Sequence, residues 1–384
     1  MSDQHKPDWD PKSAEVLRDQ QAAYDAMRER CPIAYSELMQ WSVFRHEDVM
    51  RVLHDHDSFS NAVSEHLSAP GGMDPPEHTV YRRVVEHYFT VERMTAFEPA
   101  CRAIVAALVQ ELLRRGQVDL MSDFALPFAA QAQCAFLGWP ATMQDPLIRW
   151  AQKNHAATFA QDRKAMSEIA REFEGFVDEL LESRLEAGAN SVDDVTTSLM
   201  HEQVWGRPLT NEEISSILRN WTVGEIGTLS AAVGILVHYL ADHNELQSLL
   251  RTKPSLLPTA IDEILRIHGP LVANRRIATR PVEISGRKIG AGERISLNWM
   301  SANRDRRVFD EPDSFHFDRD PAKNLLYGAG LHACPGAPLA RLEMRVCLAE
   351  LLEHSTDIRL VPERPPTKAV YPASGIAELP LWVR

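Results

Sequence analysis

The sequence has 384 residues, 44% of them apolar and 25% charged, with a net charge of −13. This apolar share supports a sizeable core. The acidic balance excludes general nucleic-acid binding, which needs a basic patch, and no run of about 18 uncharged apolar residues offers a membrane span.

In chain order, residues 1–10 are polar and acidic, lack the apolar core of a signal peptide, and are expected to be flexible; a cytoplasmic setting follows. A helix is predicted over 12–31 and a short strand over 41–44. Pro75 and Pro76 stiffen the entry to a further helix, on which His78 and Arg82 are four apart and share a face. From 94 to 251 the pattern is nearly all helical, with apolar residues at three-to-four spacing. Within it, Thr210 and Glu213 form a capping box that opens a helix running to 241, about 45 Å long at 1.5 Å per residue. Its middle carries Gly224 and Gly227, each costing about 1 kcal/mol relative to alanine. Two in one turn predict a close approach to the backbone or a local opening.

Beyond 270 the texture changes. Strands joined by glycines are predicted over 282–289 and 294–297. A Pro- and Asp-rich stretch at 304–321 is long for a compact domain, which marks it as functional or specially held. A last helix over 338–354 precedes a Pro-rich, strand-like tail. With no repeat, linker or composition break, residues 1–384 read as a single domain, mainly α with a minor β portion.

The five cysteines, Cys31, Cys101, Cys134, Cys334 and Cys347, are odd in number and widely spaced, so a disulfide framework is not expected. Cys334 stands apart. It lies in Tyr327-Gly328-Ala329-Gly330-Leu331-His332-Ala333-Cys334-Pro335-Gly336-Ala337-Pro338-Leu339-Ala340-Arg341, just ahead of a helix N-terminus, where free N–H groups and the helix dipole stabilise a thiolate. A thiolate is a metal ligand. No CxxC or HExxH accompanies it, and no partner ligands at suitable spacing support zinc.

This loop resembles the haem-binding loop of the cytochrome P-450 superfamily, F-G-x-G-x-H-x-C-x-G-x-x-L-A-R. It matches at Gly328, Gly330, His332, Cys334, Gly336, Leu339, Ala340 and Arg341, and departs at Tyr327, where the family has Phe. The resemblance implies the P-450 fold, with the long helix crossing the haem, and haem b as cofactor. Cys334 would be the axial iron ligand. Tyr327, Gly328 and Gly336 would surround the cofactor, and His332, His78, Arg82 and Arg276 would bind its propionates. Glu263 and Arg266, three apart on a helix, would be worth only a few tenths of a kcal/mol if solvated. The resemblance makes them a structural triad with Arg319.

The family's distal helix carries a Thr that follows an acid, and Thr228 falls at that Thr. Here Gly227 precedes it; the nearest acid is Glu225, expected either to supply protons in its place or to point away. Pocket positions by resemblance are Val223, Leu271, Val272, Ala273 and Ile376, with the loop from Ser60 to Met73. They are small or apolar and suit a small hydrophobic substrate, aromatic ones included. Segments such as Phe59-Ser60-Asn61-Ala62-Val63-Ser64 look most like haem domains of self-sufficient bacterial members fused to a flavin and iron–sulfur reductase. No such cysteine pattern follows here, so either electrons would come from a separate ferredoxin and its reductase, the favoured expectation, or the chain is the haem part of something longer. Arg341, Arg345 and Arg83 are candidate docking cations. The expected function is O2-dependent monooxygenation, by hydroxylation or O- or N-dealkylation, with neither nucleic acid nor membrane as partner. The missing acid leaves a peroxide-driven oxygenase open, and a non-catalytic haem-thiolate sensor is a further alternative.

Overall fold

The computed structural model describes residues 5–187 and 194–384. Helices dominate and the strands are short, as expected from the sequence. The contacts divide the chain into two units, one holding residues 5–66, 71–75 and 262–334, the other the remainder.

The first unit is built on a five-stranded sheet. Its strands run in the order Ile33–Ser36, Gln40–Val43, Arg294–Asn298, Ala273–Ala278 and Phe59–Ser60. Only the Gln40–Val43 and Arg294–Asn298 pairing is parallel, with Ile295 beside Trp41. Trp41, Val43, Phe59, Ile295 and Leu297 close a core against Val49, Val52 and Leu53 of the His46–His54 helix. Val282–Ile284 and Arg287–Ile289 form a separate hairpin. Its turn uses Ser285 at φ 45° and Gly286 at φ 79°, both in the left-handed region that two-residue hairpin turns require.

One expectation at the start of the chain differs from the structure. The helix expected over 12–31 is two, Ala14–Arg18 and Gln20–Arg30. Asp19 breaks it by turning extended and accepting from the Ala22 N–H, the capping habit of Asp. Residues from His5 onward make defined contacts with the rest of the first unit. Asp8 N–H donates to the Tyr35 carbonyl at 2.9 Å, its carboxylate pairs with Arg287, and Trp9 is buried against Tyr24 and Phe44. Residues 1–4 lie outside the described residues.

The second unit is a helical assembly. The long helix Asn211–Asp242 is its axis, packed by Leu126–Leu137, Arg163–Ala187 and Ala337–His354. Both halves of the capping box form: Thr210 Oγ1 accepts from Glu213 N–H and Glu213 accepts from Thr210 N–H. By length and composition this helix could cross a membrane, but 67% of its apolar window is buried inside the protein, the mark of a core helix. The nearly all-helical stretch is interrupted by Gln117–Asp119, which pairs with the tail strand Pro380–Val383, and by the hairpin Gln203–Val204 with Arg207–Pro208. The first follows Gly116 at φ 73°, and the second turns through Trp205 and Gly206 at φ 49° and 75°.

Candidate functional site

In the first unit the cysteine loop is a tight sequence of turns. Asn303 Oδ1 accepts from Leu325 N–H, the Leu325 carbonyl from Gly328 N–H, and the Tyr327 carbonyl from Cys334 N–H at 2.8 Å. Gly328 and Gly330 both sit at φ 70°, and a Cβ on Gly330 would stand 2.7 Å from the Leu53 carbonyl oxygen. Backbone cannot yield there as a flexible side chain would. Gly330→Ala is therefore expected to cost at least about 1–3 kcal/mol, read as a lower unfolding midpoint; an unchanged midpoint would show that the loop is not held as described. Tyr327, Gly328, His332 and Gly336 are half-buried, and the Cys334 thiol is exposed. The last helix starts at Ala337, one residue before the expected start, with Pro338 in its first turn.

Behind this loop lies a buried ion network. Arg266 grips Glu263 with two bonds, 2.8 and 2.9 Å, and Arg319 Nε donates to the same carboxylate at 2.7 Å. Arg266 also donates to the carbonyls of Asn303 and Pro312, and its guanidinium lies 4.8 Å from the Phe309 ring centre. Arg319 reaches the carbonyls of Glu311 and Ser314. The long Pro- and Asp-rich stretch is thus held by side-chain bonds to its backbone carbonyls, which explains how it stays ordered without secondary structure of its own.

Arg276 stands opposite Ile295 in the five-stranded sheet and is buried. Burial pulls its guanidinium down to about 10, with Asp74 acting in the other direction. Asp74 is itself occupied, accepting from Ser60 Oγ and from Asn61 N–H. A buried cation with so little compensation suits a further anion beside it.

In the second unit the Glu77–Glu86 helix carries His78, buried, and Arg82, half-buried, which donates to Glu86 at 2.7 Å. Tyr81 of this helix donates to Glu213 at the start of the long helix, and Arg207 also donates to it twice, holding the Glu213 carboxyl down at about 2. Residues 67–70 are tied to the same helix. Ser216 bridges Ala69 N–H and the Leu67 carbonyl, and Asn220 donates to the Ala69 carbonyl.

The long helix is continuous through its glycines, so of the two expectations the local opening is not met. Val223, Gly224 and Gly227 are exposed and Thr228 is half-buried, a strip along one face of an otherwise buried helix. A Cβ on either glycine would meet nothing within 4 Å. The glycines are not demanded by the protein's own packing, and they leave the backbone approachable.

Glu225 is not on that strip. It is buried and turned toward Glu343 of the last helix, also fully buried. Burial pushes Glu225 up to about 7, and burial together with Glu225 pushes Glu343 well above the usual carboxylate range. A carboxyl raised in the folded state takes up protons on folding, so stability falls as pH rises from about 4.5 toward 7. Glu343→Gln removes part of that slope. Its stability relative to the parent is expected to improve steadily from pH 5 to pH 7, in denaturant melts at each pH; a difference independent of pH would contradict the shift.

Among the pocket candidates, Val272 and Ile376 are buried, Leu271 and Ala273 half-buried, and Val223 exposed. The Val272 carbonyl accepts from Trp299 N–H, and Ile376 packs near Gly234 of the long helix. Of the candidate docking cations, Arg83 and Arg341 are exposed, whereas Arg345 pairs with Glu98 at 2.6 Å. Sequence reasoning missed two residues, Glu343 and Asp74. The first had a readable signal, an acid flanked by apolar residues in Leu342-Glu343-Met344. Among the described residues no cluster of three or more His, Cys, Asp or Glu could hold a metal ion.

The cytochrome P450 family model matches residues 138–356. The chain is 31% identical to a putative cytochrome P450, YjiB, of Bacillus subtilis over 345 residues, 86% of this chain and 85% of the relative. It is 33% identical to the nocardicin C N-oxygenase of Nocardia uniformis, covering 94% and 93% of the two chains. The crystal structure of CYP109E1 from Bacillus megaterium with testosterone superposes with a TM-score of 0.87 at 26% identity, covering 97% of this chain and 99% of that one.

Proposed function

Because the chain belongs to the cytochrome P450 family, haem b-thiolate monooxygenases that use O2 and a separate electron donor, we propose that Cys334 is its iron ligand and that residues 1–384 form one haem domain. The observation that carries this reading is the Cys334 loop, an exposed thiol at the end of a glycine turn whose shape depends on positive φ at Gly328 and Gly330. Thiolate-ligated haem supplies the activation of O2, from which one oxygen atom enters the substrate.

The remaining roles belong to this chain's own groups. His332, Arg276, His78 and Arg82 would bind the cofactor's carboxylates, and Tyr327, Gly328 and Gly336 would shape its surroundings. The weakly compensated burial of Arg276 supports this, since an adjacent carboxylate would restore its charge balance. Arg276→Leu is expected to speed haem loss to an apo-haem acceptor by about 10–100-fold, the worth of a charged hydrogen bond of about 1.5–3 kcal/mol. Loss at the parental rate would remove Arg276 from the site. The approachable strip of Val223, Gly224, Gly227 and Thr228 supports an oxygen-side role for that face, with Thr228 Oγ1 holding and passing a proton.

The substrate class proposed is small and hydrophobic, aromatic compounds included, with Val223, Leu271, Val272, Ala273 and Ile376 around it. The electron donor proposed is a ferredoxin with its reductase, in the cytoplasm. The test is a titration of the holoenzyme with a panel of small apolar, large apolar and charged compounds, followed by turnover with ferredoxin and reductase. Spectral shifts and oxidised products from the small apolar set are expected. Shifts confined to the charged or large compounds would overturn the substrate class.

A further inference from the structure

Within the second unit, the hairpin between the Val195–His201 helix and the long helix takes hold of the Glu77–Glu86 helix. Its two-residue turn is Trp205-Gly206, at φ 49° and 75°. Such turns favour Asn, Asp or Gly, and a bulky side chain at positive φ is an outlier. Trp205 is 58% exposed, so burial does not offset that strain. Its ring stands edge-on to Tyr81, with 5.5 Å between the ring centres. A strained residue of this kind directs attention to what it touches.

The same hairpin also holds Tyr81 through its hydroxyl. Arg207 donates to the two oxygens of Glu213 at 2.8 and 2.7 Å, and Tyr81 Oη donates to that carboxylate. The capping box with Thr210 fixes Glu213 in turn. A second hold lies at the base of the hairpin. The Glu202 carbonyl accepts from Leu209 N–H, while the Glu202 carboxylate accepts from Tyr88 Oη at 3.1 Å and lies 3.0 Å from His87 Nε2. His87 and Tyr88 belong to the turn that directly follows the Glu77–Glu86 helix. Burial first, and then the adjacent carboxylate, push both tyrosine hydroxyls up, Tyr81 to about 12. Both therefore remain donors at neutral pH. Seven residues separate Tyr81 from Tyr88, about two helical turns, so two holds at that spacing fix the segment both along its axis and in rotation about it.

We propose that the hairpin of residues 202–209 is a clamp that sets the rotation of the Glu77–Glu86 helix and so aims His78 and Arg82 at the cofactor's carboxylate, with Tyr81, Glu202 and Trp205 as positioning residues. The proposal rests on the reading of His78 and Arg82 as carboxylate ligands. Those two share a face of the helix, so one rotation displaces both. Charge-assisted hydrogen bonds tolerate a narrow range of distance and angle, and a helix without the clamp would weaken the two together.

The test uses the holoenzyme and three readouts: the rate of haem loss to an apo-haem acceptor, the propionate bending mode in the resonance Raman spectrum, and the unfolding midpoint. Tyr81→Phe keeps the ring against Trp205 and removes the hydroxyl. Glu202→Gln keeps the shape and removes the charge of the acceptor. Each is expected to lose haem about 10-fold faster, the lower end of what the outer partners of a ligand contribute, and to shift the propionate mode. Trp205→Asn suits the turn and removes the ring, so faster haem loss there cannot be put down to a weakened hairpin. It is expected to be about 2- to 10-fold faster, the worth of an aromatic edge contact. Trp150→Phe serves as the control. It removes the bond from Trp150 Nε1 to the Ile169 carbonyl, between two other helices, and is expected to lower the unfolding midpoint alone.

Parental haem loss and an unshifted mode in the hairpin variants, or equal changes in Trp150→Phe, overturn the proposal. His78→Gln and Arg82→Leu separate the two readings. If they alter haem loss and the mode while the hairpin variants do not, only the clamp falls. If they leave both as in the parent, the ligand reading falls and the clamp with it. Should Tyr81→Phe fail to fold, Glu202→Gln and Trp205→Asn decide.

Discussion

Arg266→Leu is expected to destabilise the protein by about 3–5 kcal/mol, the usual cost of leaving a buried charge without its partner. Arg266 is 1% exposed and makes four bonds: two to Glu263 and one each to the carbonyls of Asn303 and Pro312. Leucine fills the volume but leaves a buried carboxylate with one remaining cation and two carbonyls without donors. Against a total stability of roughly 5–15 kcal/mol, that is a large share. Arg266→Lys is expected to rescue little, because an ammonium cannot make the bidentate grip. Arg319→Leu is expected to cost less, since Arg319 gives Glu263 one bond and lies nearer the solvent. Denaturant melts and the yield of soluble haem-loaded protein check the order. Equal losses for Arg266→Leu and Arg319→Leu would show that the network is not centred on the Arg266–Glu263 grip.

Thr228→Ala is expected to uncouple the reaction, lowering product per electron pair by about 10²-fold, the lower range for a positioned proton-transfer group. O2 and reductant consumption are expected to continue, because the substitution leaves the helix and the cysteine loop intact. Thr228 borders the exposed strip that Gly224 and Gly227 keep open, and a hydroxyl there is the nearest proton-holding side chain on that strip. Stop-flow turnover with product and peroxide quantified together measures it. Full coupling in Thr228→Ala would take Thr228 out of the proton path.

What could be read from the sequence, and what could not, follows from the range of each signal. The cysteine loop is legible because glycine, histidine and cysteine recur at fixed spacing over nine residues, a local pattern that needs no knowledge of neighbours. The capping box at Thr210 and Glu213 is local in the same way. Asp19 is local too, but its helix-breaking role was hidden inside an otherwise periodic stretch. Glu225 shows the limit. Helical spacing puts it within a turn of Thr228, yet which neighbour it faces depends on how the last helix packs against the long one. The engagement of Arg345 by Glu98 and of Arg82 by Glu86 is of the same kind. Partners drawn from distant segments, or chosen among several within reach, leave no periodic trace.

Cys334 is proposed to bind the haem iron as a thiolate. The direct measurement is the absorption spectrum of the reduced, CO-bound protein, recorded for the parent and for Cys334→Ser at equal haem content. The parent is expected to show the red-shifted Soret band of a thiolate-ligated haem, and Cys334→Ser is expected to lose it. A band at the same position in Cys334→Ser, or none in the haem-loaded parent, would contradict the assignment.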